Sequence, residues 1–281
     1  MLVTPKEMYR NSITEKYAVG AFDATNHFLA ECIIHAAEIE KQPVILMVPV
    51  FAFGSFNDAE FVRYLVRRCE SAEVPIALHL DHATTYEQCM YAISKGFTSV
   101  MIDGSSLPLK DNIALTKSVV KSSHACSVMV EAEVGHVAGN EASSDGSVAD
   151  ESLYTQTPDA LRFIDETQVD ALAVAFGTVH GLYKGKPNLN FARLDDLRKN
   201  IGIPLVMHGG SGLSEDDFRN VVRHGINKIN IFSEISLSSS KMLFQVLQKS
   251  QGNMHIQDAF LNIQDNVVSI IKNQIKLFND R

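Results

Sequence analysis

Three histidines in this sequence, His82, His180 and His208, each end an apolar run, and Asp81 precedes the first of them. Buried parallel strands are near-continuous apolar runs, and their ends can face a shared cleft. The three imidazoles are therefore expected on one rim. Three imidazoles with an open fourth position form a ligand set for catalytic zinc, so the pattern predicts a metal centre. The alternative is that these histidines only hydrogen-bond to loops.

Asp81 is the candidate proton carrier of this centre. A carboxylate that lies beside a metal without binding it can exchange a proton with a substrate oxygen. The alternative is that Asp81 caps the helix that begins near Thr84. His79 lies two residues earlier and shares the inward face of the strand, where we expect it to pack or to support the site rather than to bind metal.

Three further acids lie at predicted strand ends: Asp103 on the fourth strand, and Glu131 and Glu133 on the fifth. Because side chains alternate along a strand, both glutamates share one face of the fifth strand. In the closed barrel predicted below, this is the interior face. Buried acids need a cationic or basic partner. Two roles stay open at this point, a second metal site or orientation of the ligand histidines.

A glycine-rich segment follows His208, and the next predicted strand ends in an asparagine and a serine. Glycine lets backbone N–H groups approach an anion, and barrel phosphate sites commonly use the loops after strands seven and eight. A tight turn before the next helix is the alternative. The predicted anion site comprises Gly181, Gly209, Gly210, Ser211, Asn230 and Ser233.

Eight strand-length runs alternate with segments of helical period. The sequence predicts starts of these helices at Thr25, Asn57 or Asp58, Thr84 or Thr85, Pro108, Pro158 and Ser214. The predicted strands are 17–22, 44–50, 75–80, 99–102, 127–132, 171–176, 204–207 and 228–232. Eight such alternations predict an α/β fold, a (β/α)8 TIM barrel, over a single domain of residues 1–281. A doubly wound open sheet is the alternative, but no GxGxxG motif opens a βα unit.

Two segments are additional to the eight strands and helices of a (β/α)8 barrel. The connection at 134–157 is rich in Gly, Ser and acids, and a loop of this length after the fifth strand indicates an active-site lid. The chain beyond residue 233 predicts two C-terminal helices, at 235–249 and 256–278, packed outside the barrel or against a partner subunit.

Composition excludes several classes of function. The chain has 281 residues and a formal charge of −8, without a basic cluster for nucleic acid or anionic membrane. No apolar run reaches the roughly 18 residues of a membrane span, and the first residues lack a signal-peptide core. Four cysteines without CxxC spacing indicate reduced thiols and a cytoplasmic protein.

Several motifs in order resemble the class II, metal-dependent ketose-bisphosphate aldolases, including the fructose- and tagatose-bisphosphate aldolases. The resemblance covers about residues 19–232. The matching segments are Leu-His-Leu-Asp-His at 78–82, Ser-Val-Met-Ile-Asp-Gly-Ser at 99–105, Glu-Ala-Glu-Val-Gly at 131–135, Phe-Gly-Thr-Val-His-Gly-Leu-Tyr at 176–183, His-Gly-Gly-Ser-Gly at 208–212 and Lys-Ile-Asn-Ile at 228–231.

The resemblance implies an aldolase that reversibly cleaves a ketose phosphate into dihydroxyacetone phosphate and an aldehyde. It implies zinc bound to the three histidines, and it implies that Asp81 exchanges the proton of the C4 hydroxyl. It also implies a second or alternative cation at Asp103 and Glu133, and a mobile glutamate, Glu141, that exchanges the C3 proton. The glycines, Ser211, Asn230 and Ser233 would bind dihydroxyacetone phosphate, together with a monovalent cation such as Na+ or K+. By analogy the protein would be a homodimer or homotetramer.

Departures from the family pattern concern the substrate. The loop around Glu141 reads Ala-Gly-Asn-Glu-Ala instead of Gly-Gly-x-Glu-Asp. Asp23 replaces a common asparagine, and a hydroxyl residue is missing near Pro49. We therefore expect an acceptor aldehyde without a distal phosphate, such as a sugar with free hydroxyls. The alternatives are a fructose- or tagatose-bisphosphate aldolase proper, another metal-dependent sugar-phosphate enzyme (an epimerase or hydrolase), and a non-catalytic sugar-phosphate sensor.

Overall fold

A closed barrel of eight parallel strands forms the centre of the computed structural model, which describes residues 1–52, 58–139, 148–181 and 183–280. The barrel strands are β1 (Val19–Asp23), β2 (Val44–Pro49), β3 (Ile76–Ala83), β4 (Ser99–Ile102), β5 (Met129–Val134), β7 (Ala171–Val174), β9 (Leu205–Met207) and β10 (Ile226–Ile231). The two short strands β6 (Ala138–Gly139) and β8 (Val179–His180) pair in parallel as a separate sheet. The predicted (β/α)8 barrel is confirmed, and the open sheet is excluded because β1 pairs with both β2 and β10.

Helices follow the strands and cover the barrel. They are α1 (Lys6–Glu15), α2 (His27–Glu40), α3 (Asp58–Ser71), α4 (Tyr86–Ser94), α5 (Leu109–Ala125), α6 (Thr157–Thr167), α7 (Phe191–Asn200), α8 (Glu215–Arg223), α9 (Ser233–Lys249) and α10 (Ile256–Phe278), with 3-10 turns at Val50–Ala52 and Glu151–Leu153. Thr85 and Ser214 start α4 and α8 with capping boxes, as serine and threonine do at helix N-termini. Asn26, rather than Thr25, caps α2.

The barrel interior is apolar at its amino-terminal end. Met8 and Tyr9 of α1 pack there against interior residues such as Val19, Ile45 and Val206. A second, larger apolar layer lies between the outer face of the strands and the helices. The helix α1 was not among the predicted elements, and neither was α7. With one end closed by α1, polar residues at the carboxyl ends of the strands can form a site at the opposite rim.

Both C-terminal helices are present, but their positions differ. The helix α10 packs against α2 and α8, where it completes the ring of helices around the barrel. The helix α9 contacts α10 and buries few of its own residues, so α9 is the element added to the ring. Within the described residues, no helix is both long and apolar enough to cross a membrane.

The long connection after β5 is anchored at its base. Thr155, which is fully buried, donates its hydroxyl to the Val134 carbonyl and accepts the Ala175 N–H at 2.8 Å. The His136 N–H donates to the Leu153 carbonyl at 2.8 Å. The two ends of the connection are therefore tied to each other and to the barrel.

Candidate active site

The three predicted histidines converge at the carboxyl ends of the barrel strands. His208 Nδ1 lies 2.9 Å from His82 Nε2 and 3.5 Å from His180 Nε2. Tetrahedral zinc with Zn–N bonds of about 2.0–2.1 Å separates its ligand nitrogens by about 3.3–3.4 Å. These spacings bracket that value, so the donor set fits zinc.

His82 reaches this position through an irregular strand end. The pairing of β3 with β4 shifts register between Leu80 and Ala83, and the φ angle of His82 is +53°. A left-handed φ is uncommon for a residue other than glycine, and such strain concentrates at functional sites. The bulge re-aims the imidazole, whose Nδ1 bonds Asp103 Oδ2 at 2.9 Å, while Nε2 faces the other two rings.

His180 does not end its strand directly, because β7 stops at Val174 and His180 belongs to the short strand β8. The paired strands β6 and β8 hold it over the rim. Burial lowers the pKa of His180 well below its ordinary value, and burial also lowers the pKa of His208. Both imidazoles are therefore neutral at pH 7, the state that binds a cation.

His208 is held from below by Glu131 and Lys228. Glu131 Oε1 accepts from His208 Nε2 at 2.9 Å, and its Oε2 accepts from Lys228 Nζ at 2.7 Å. Burial alone raises the pKa of Glu131, but the charge of Lys228 and the bond to His208 outweigh it and hold this pKa below its ordinary value. His79 shares this layer and bonds Ser99 at 2.6 Å, without joining a possible metal cluster of the described residues.

Asp81 is fully buried beside the three histidines. Its Oδ1 accepts from Asn230 Nδ2 at 3.3 Å, and its Oδ2 lies 3.9 Å from His82 Nε2 without a hydrogen-bond partner in the described part of the chain. The interpretation of Asp81 as a helix cap is wrong, because Thr85 caps α4. Asn230 also approaches His208 within 3.3 Å, so it lies in the histidine cluster as well as near the anion loop.

Asp103 and Glu133 form a second cluster with His82, whose ligand atoms all lie within 4.8 Å of one another. Burial, followed by the charge of Asp103, raises the pKa of Glu133 to about 8. For Asp103, burial raises the pKa, but the hydrogen bond and charge of His82, together with the hydrogen bonds from Ser105, outweigh burial and hold this pKa below its ordinary value. Glu133 accepts the Val137 N–H at 2.9 Å through one oxygen. The two glutamates on one face of β5 thus have different neighbours.

The glycine segment after β9 makes a close backbone contact. Gly209 has a φ of +70°, and a Cβ there would lie 2.2 Å from the Val179 carbonyl oxygen. Ser211 accepts the Glu234 N–H at 3.2 Å in the first turn of α9. The buried Ser233 begins that helix, and Gly181, with a φ of +78°, precedes the segment that Tyr183 ties to the Gly209 carbonyl. A helix N-terminus beside a glycine-rich backbone segment is suited to an anion.

A cavity of about 410 Å³ opens beside His82 and His180. Its described lining contains neither lysine nor arginine, and the sequence has none at 53–57 or 140–147. The lining residues are Pro49, Val50, Phe51, His82, Thr84, Asp103, His136, Gly139 and His180.

The remaining predicted site residues are Glu141 and Asp23. Glu141 lies outside the described residues. Asp23 is buried at the end of β1, on the same rim, but does not line the cavity beside His82. Sequence reasoning missed the roles of Lys228 and His136. A lysine in an apolar strand was a usable signal, because a buried ammonium needs an acid such as Glu131, whereas nothing in the sequence singled out His136.

Comparisons with known proteins agree with this geometry. The family model for class-II fructose-bisphosphate aldolase matches residues 3–281. A probable fructose-bisphosphate aldolase of Bacillus subtilis is 39% identical over 249 residues, 88% of this chain and 86% of its own length. The fructose-bisphosphate aldolase of Staphylococcus aureus is 36% identical over 281 residues, 99% of this chain and 97% of its own.

Solved structures give the same result. The YdjI aldolase from Escherichia coli K12 superposes with a TM-score of 0.87 at 30% identity, covering 99% of this chain and 97% of that one. A putative fructose-1,6-biphosphate aldolase from Coccidioides immitis has a TM-score of 0.86 at 26% identity, with 98% and 95% covered. The predicted class II aldolase, a carbon–carbon lyase, is confirmed, and the chain belongs to the class II fructose-bisphosphate aldolase family.

Proposed function

We propose that this protein is a zinc-dependent aldolase that joins dihydroxyacetone phosphate to an aldehyde, and cleaves the product, through His82, His180 and His208. The observation that carries the proposal is the convergence of three imidazole nitrogens within 4.8 Å of one another. Zinc, when bound there, supplies a Lewis acid that stabilises negative charge developing on the substrate oxygens. The neutral state of the buried imidazoles supports this assignment.

Asp81 is the proposed proton carrier at the C4 hydroxyl. A buried carboxylate oxygen without a hydrogen-bond partner among described residues, 3.9 Å from His82 Nε2, faces the cluster. In cleavage it accepts the hydroxyl proton, and in condensation it returns it. Asn230, which donates to the other oxygen of Asp81, orients the carboxylate. We also assign exchange of the C3 proton to Glu141.

The phosphate of dihydroxyacetone phosphate is proposed to bind Gly181, Gly209, Gly210 and Ser211, with Ser233 at the N-terminus of α9. The close approach of Gly209 to the Val179 carbonyl and the bond from Glu234 to Ser211 support a preformed backbone cradle. A monovalent cation would complete this site. Asp103 and Glu133 are the proposed ligands of a second cation, since a cation there would offset two neighbouring carboxylates.

The acceptor is proposed to be an aldehyde with hydroxyls and no distal phosphate. The support is the 410 Å³ cavity, whose described walls contain neither lysine nor arginine and include Pro49, Val50 and Phe51. Asp23, at the same rim, adds negative charge. The second candidate, cleavage of fructose or tagatose bisphosphate, is favoured by the names of the bacterial relatives. We further propose a single cytoplasmic domain that assembles as a homodimer or homotetramer and binds neither nucleic acid nor membrane.

A coupled assay tests the function. Purified protein is incubated with dihydroxyacetone phosphate and a panel of aldehydes, with chelator, with added zinc and with neither. We expect condensation that chelator abolishes and zinc restores, with faster turnover of hydroxyaldehydes than of glyceraldehyde 3-phosphate. Chelator-insensitive condensation would contradict the metal centre, and a strong preference for the phosphorylated aldehyde would favour the second candidate.

A further inference from the structure

A charged layer lies inside the barrel beneath the histidine cluster. Lys228 on β10 and Glu131 on β5 are 0% and 1% exposed, and their Nζ and Oε2 atoms lie 2.7 Å apart. These strands are not neighbours in the barrel, so the ion pair crosses its interior. The other oxygen of Glu131 lies 2.9 Å from Nε2 of the fully buried His208.

This contact decides which nitrogen of His208 carries the proton. A carboxylate paired with an ammonium accepts hydrogen bonds and donates none, so the hydrogen must be on Nε2. The lone pair of Nδ1 is then left facing His82 Nε2 at 2.9 Å and His180 Nε2 at 3.5 Å. Asn230 Nδ2 is a poorer partner, at 3.3 Å from the same Nε2.

We propose that Glu131 and Lys228 are positioning residues that lock His208 in the Nε2–H tautomer and thereby present Nδ1 to the cation. The inference rests on the proposed metal centre. Glu131 sets the tautomer and the direction of the ring, and Lys228 compensates the buried charge of Glu131. Partners of this kind orient metal-binding histidines in many sites, and their loss typically weakens metal binding 10–100-fold.

If the Glu131–Lys228 ion pair had only a structural role, its removal would change the stability of the fold but not the tautomer of His208. Removing one member of a buried pair leaves a lone buried charge and destabilises the fold, whereas removing both members is far less harmful. The double variant E131Q/K228M therefore separates the two roles. It removes both charges, and the amide of the new glutamine can either donate to or accept from Nε2, so tautomer control is lost while the fold is spared.

The test compares wild type with E131Q, K228M and E131Q/K228M. Asp170→Asn is the matched control, because Asp170 accepts the Val130 N–H at 2.7 Å at the other end of β5 and is not bonded to His208. Three quantities are measured: zinc affinity by competition with a chromogenic chelator, thermal unfolding of the metal-free protein, and imidazole tautomers by long-range 1H–15N correlation of the metal-free protein labelled at histidine. A His208→Gln spectrum assigns the resonances of that ring.

We expect wild-type His208 to show a protonated Nε2 and an unprotonated Nδ1. The double variant should show a mixed tautomer and a 10–100-fold weaker zinc affinity, with a melting temperature above that of K228M, whereas D170N keeps wild-type affinity. An Nδ1–H tautomer in the wild type, or wild-type affinity in the double variant, would overturn the proposal. Failure of the wild-type protein to bind zinc would instead overturn the proposed metal centre. The spectrum of the metal-free protein distinguishes the two cases, because it reports the His208 tautomer whether or not zinc binds.

Discussion

The two sides of the histidine cluster are built from different parts of the chain. The proposed phosphate side, formed by Gly181, Gly209, Gly210, Ser211 and Ser233, consists of glycine-rich backbone and the N-terminus of α9. The proposed aldehyde side, formed by Pro49, Val50, Phe51, Thr84 and His136, presents side chains around a 410 Å³ cavity. Backbone donors change little when side chains are substituted, whereas a wall of side chains changes with every substitution. If these proposed assignments hold, one barrel can keep its ketone donor while substitutions change the aldehyde that it accepts.

The largest effect should come from Asp81, the proposed proton carrier beside the three histidines. We expect Asp81→Asn to reduce kcat by about 10²–10⁴-fold, because proton transfer at the C4 hydroxyl contributes about that much. The loss should be similar for every aldehyde, measured by condensation with dihydroxyacetone phosphate at equal zinc content. The exposed Asp111→Asn serves as the carboxylate-to-amide control. A loss confined to one aldehyde would place Asp81 on the aldehyde side alone.

On the proposed phosphate side, a change in backbone conformation should weaken the binding of dihydroxyacetone phosphate. Gly209→Ala puts a Cβ at a φ of +70° and 2.2 Å from the Val179 carbonyl oxygen, so the loop must move. Left-handed strain and overpacking together cost about 2–4 kcal/mol, and we expect KM for dihydroxyacetone phosphate to rise at least about tenfold. Gly202→Ala is the control, since a Cβ there meets nothing within 4 Å. Unchanged KM in Gly209→Ala would remove this loop from the phosphate site.

Glu133, beside the aldehyde side, should make the metal-free protein sensitive to pH. Its pKa is raised from 4.5 to about 8 in the folded chain. Between these values the native protein keeps a proton that the unfolded chain releases, so unfolding free energy falls as pH rises, by up to about 1.4 kcal/mol per pH unit. Denaturant unfolding in chelator from pH 5 to 8 should show this loss relative to Glu133→Gln. Parallel curves for the two proteins would contradict it.

The smallest effect concerns charge on the aldehyde side. Phe51 is 50% exposed at the cavity mouth. We expect Phe51→Arg to raise the ratio of kcat/KM for a ketose bisphosphate over a ketose monophosphate by about 1.4-fold to fivefold, since exposed ion pairs contribute about 0.2–1 kcal/mol. Leu261→Arg, at a residue 64% exposed on α10, adds the same charge elsewhere. An equal rise in that control would assign the effect to net charge.

Prediction from sequence succeeded where a local pattern has one physical solution. The eight apolar runs became the eight barrel strands within a few residues, because buried parallel strands require continuous apolar sequence. Ser214 starts α8 as predicted, because its hydroxyl satisfies a free N–H. The helices α1 and α7 were missed. Each has only 10 residues, and helices this short are stabilised mainly by packing against the barrel and neighbouring helices rather than by their own sequence.

The sequence by itself determined the barrel, the grouping of the three histidines and the position of Asp81 beside them, since these follow from strand period and residue type. Only the tertiary structure decided that Glu131 bonds His208 while Glu133 joins Asp103, although both glutamates lie on one face of β5. It also decided that Lys228 reaches across the barrel and that His136 lines the cavity. These contacts join residues from distant strands and loops. Closure of the barrel brings their side chains within bonding distance, and the local sequence around each residue does not indicate which distant partner it will meet.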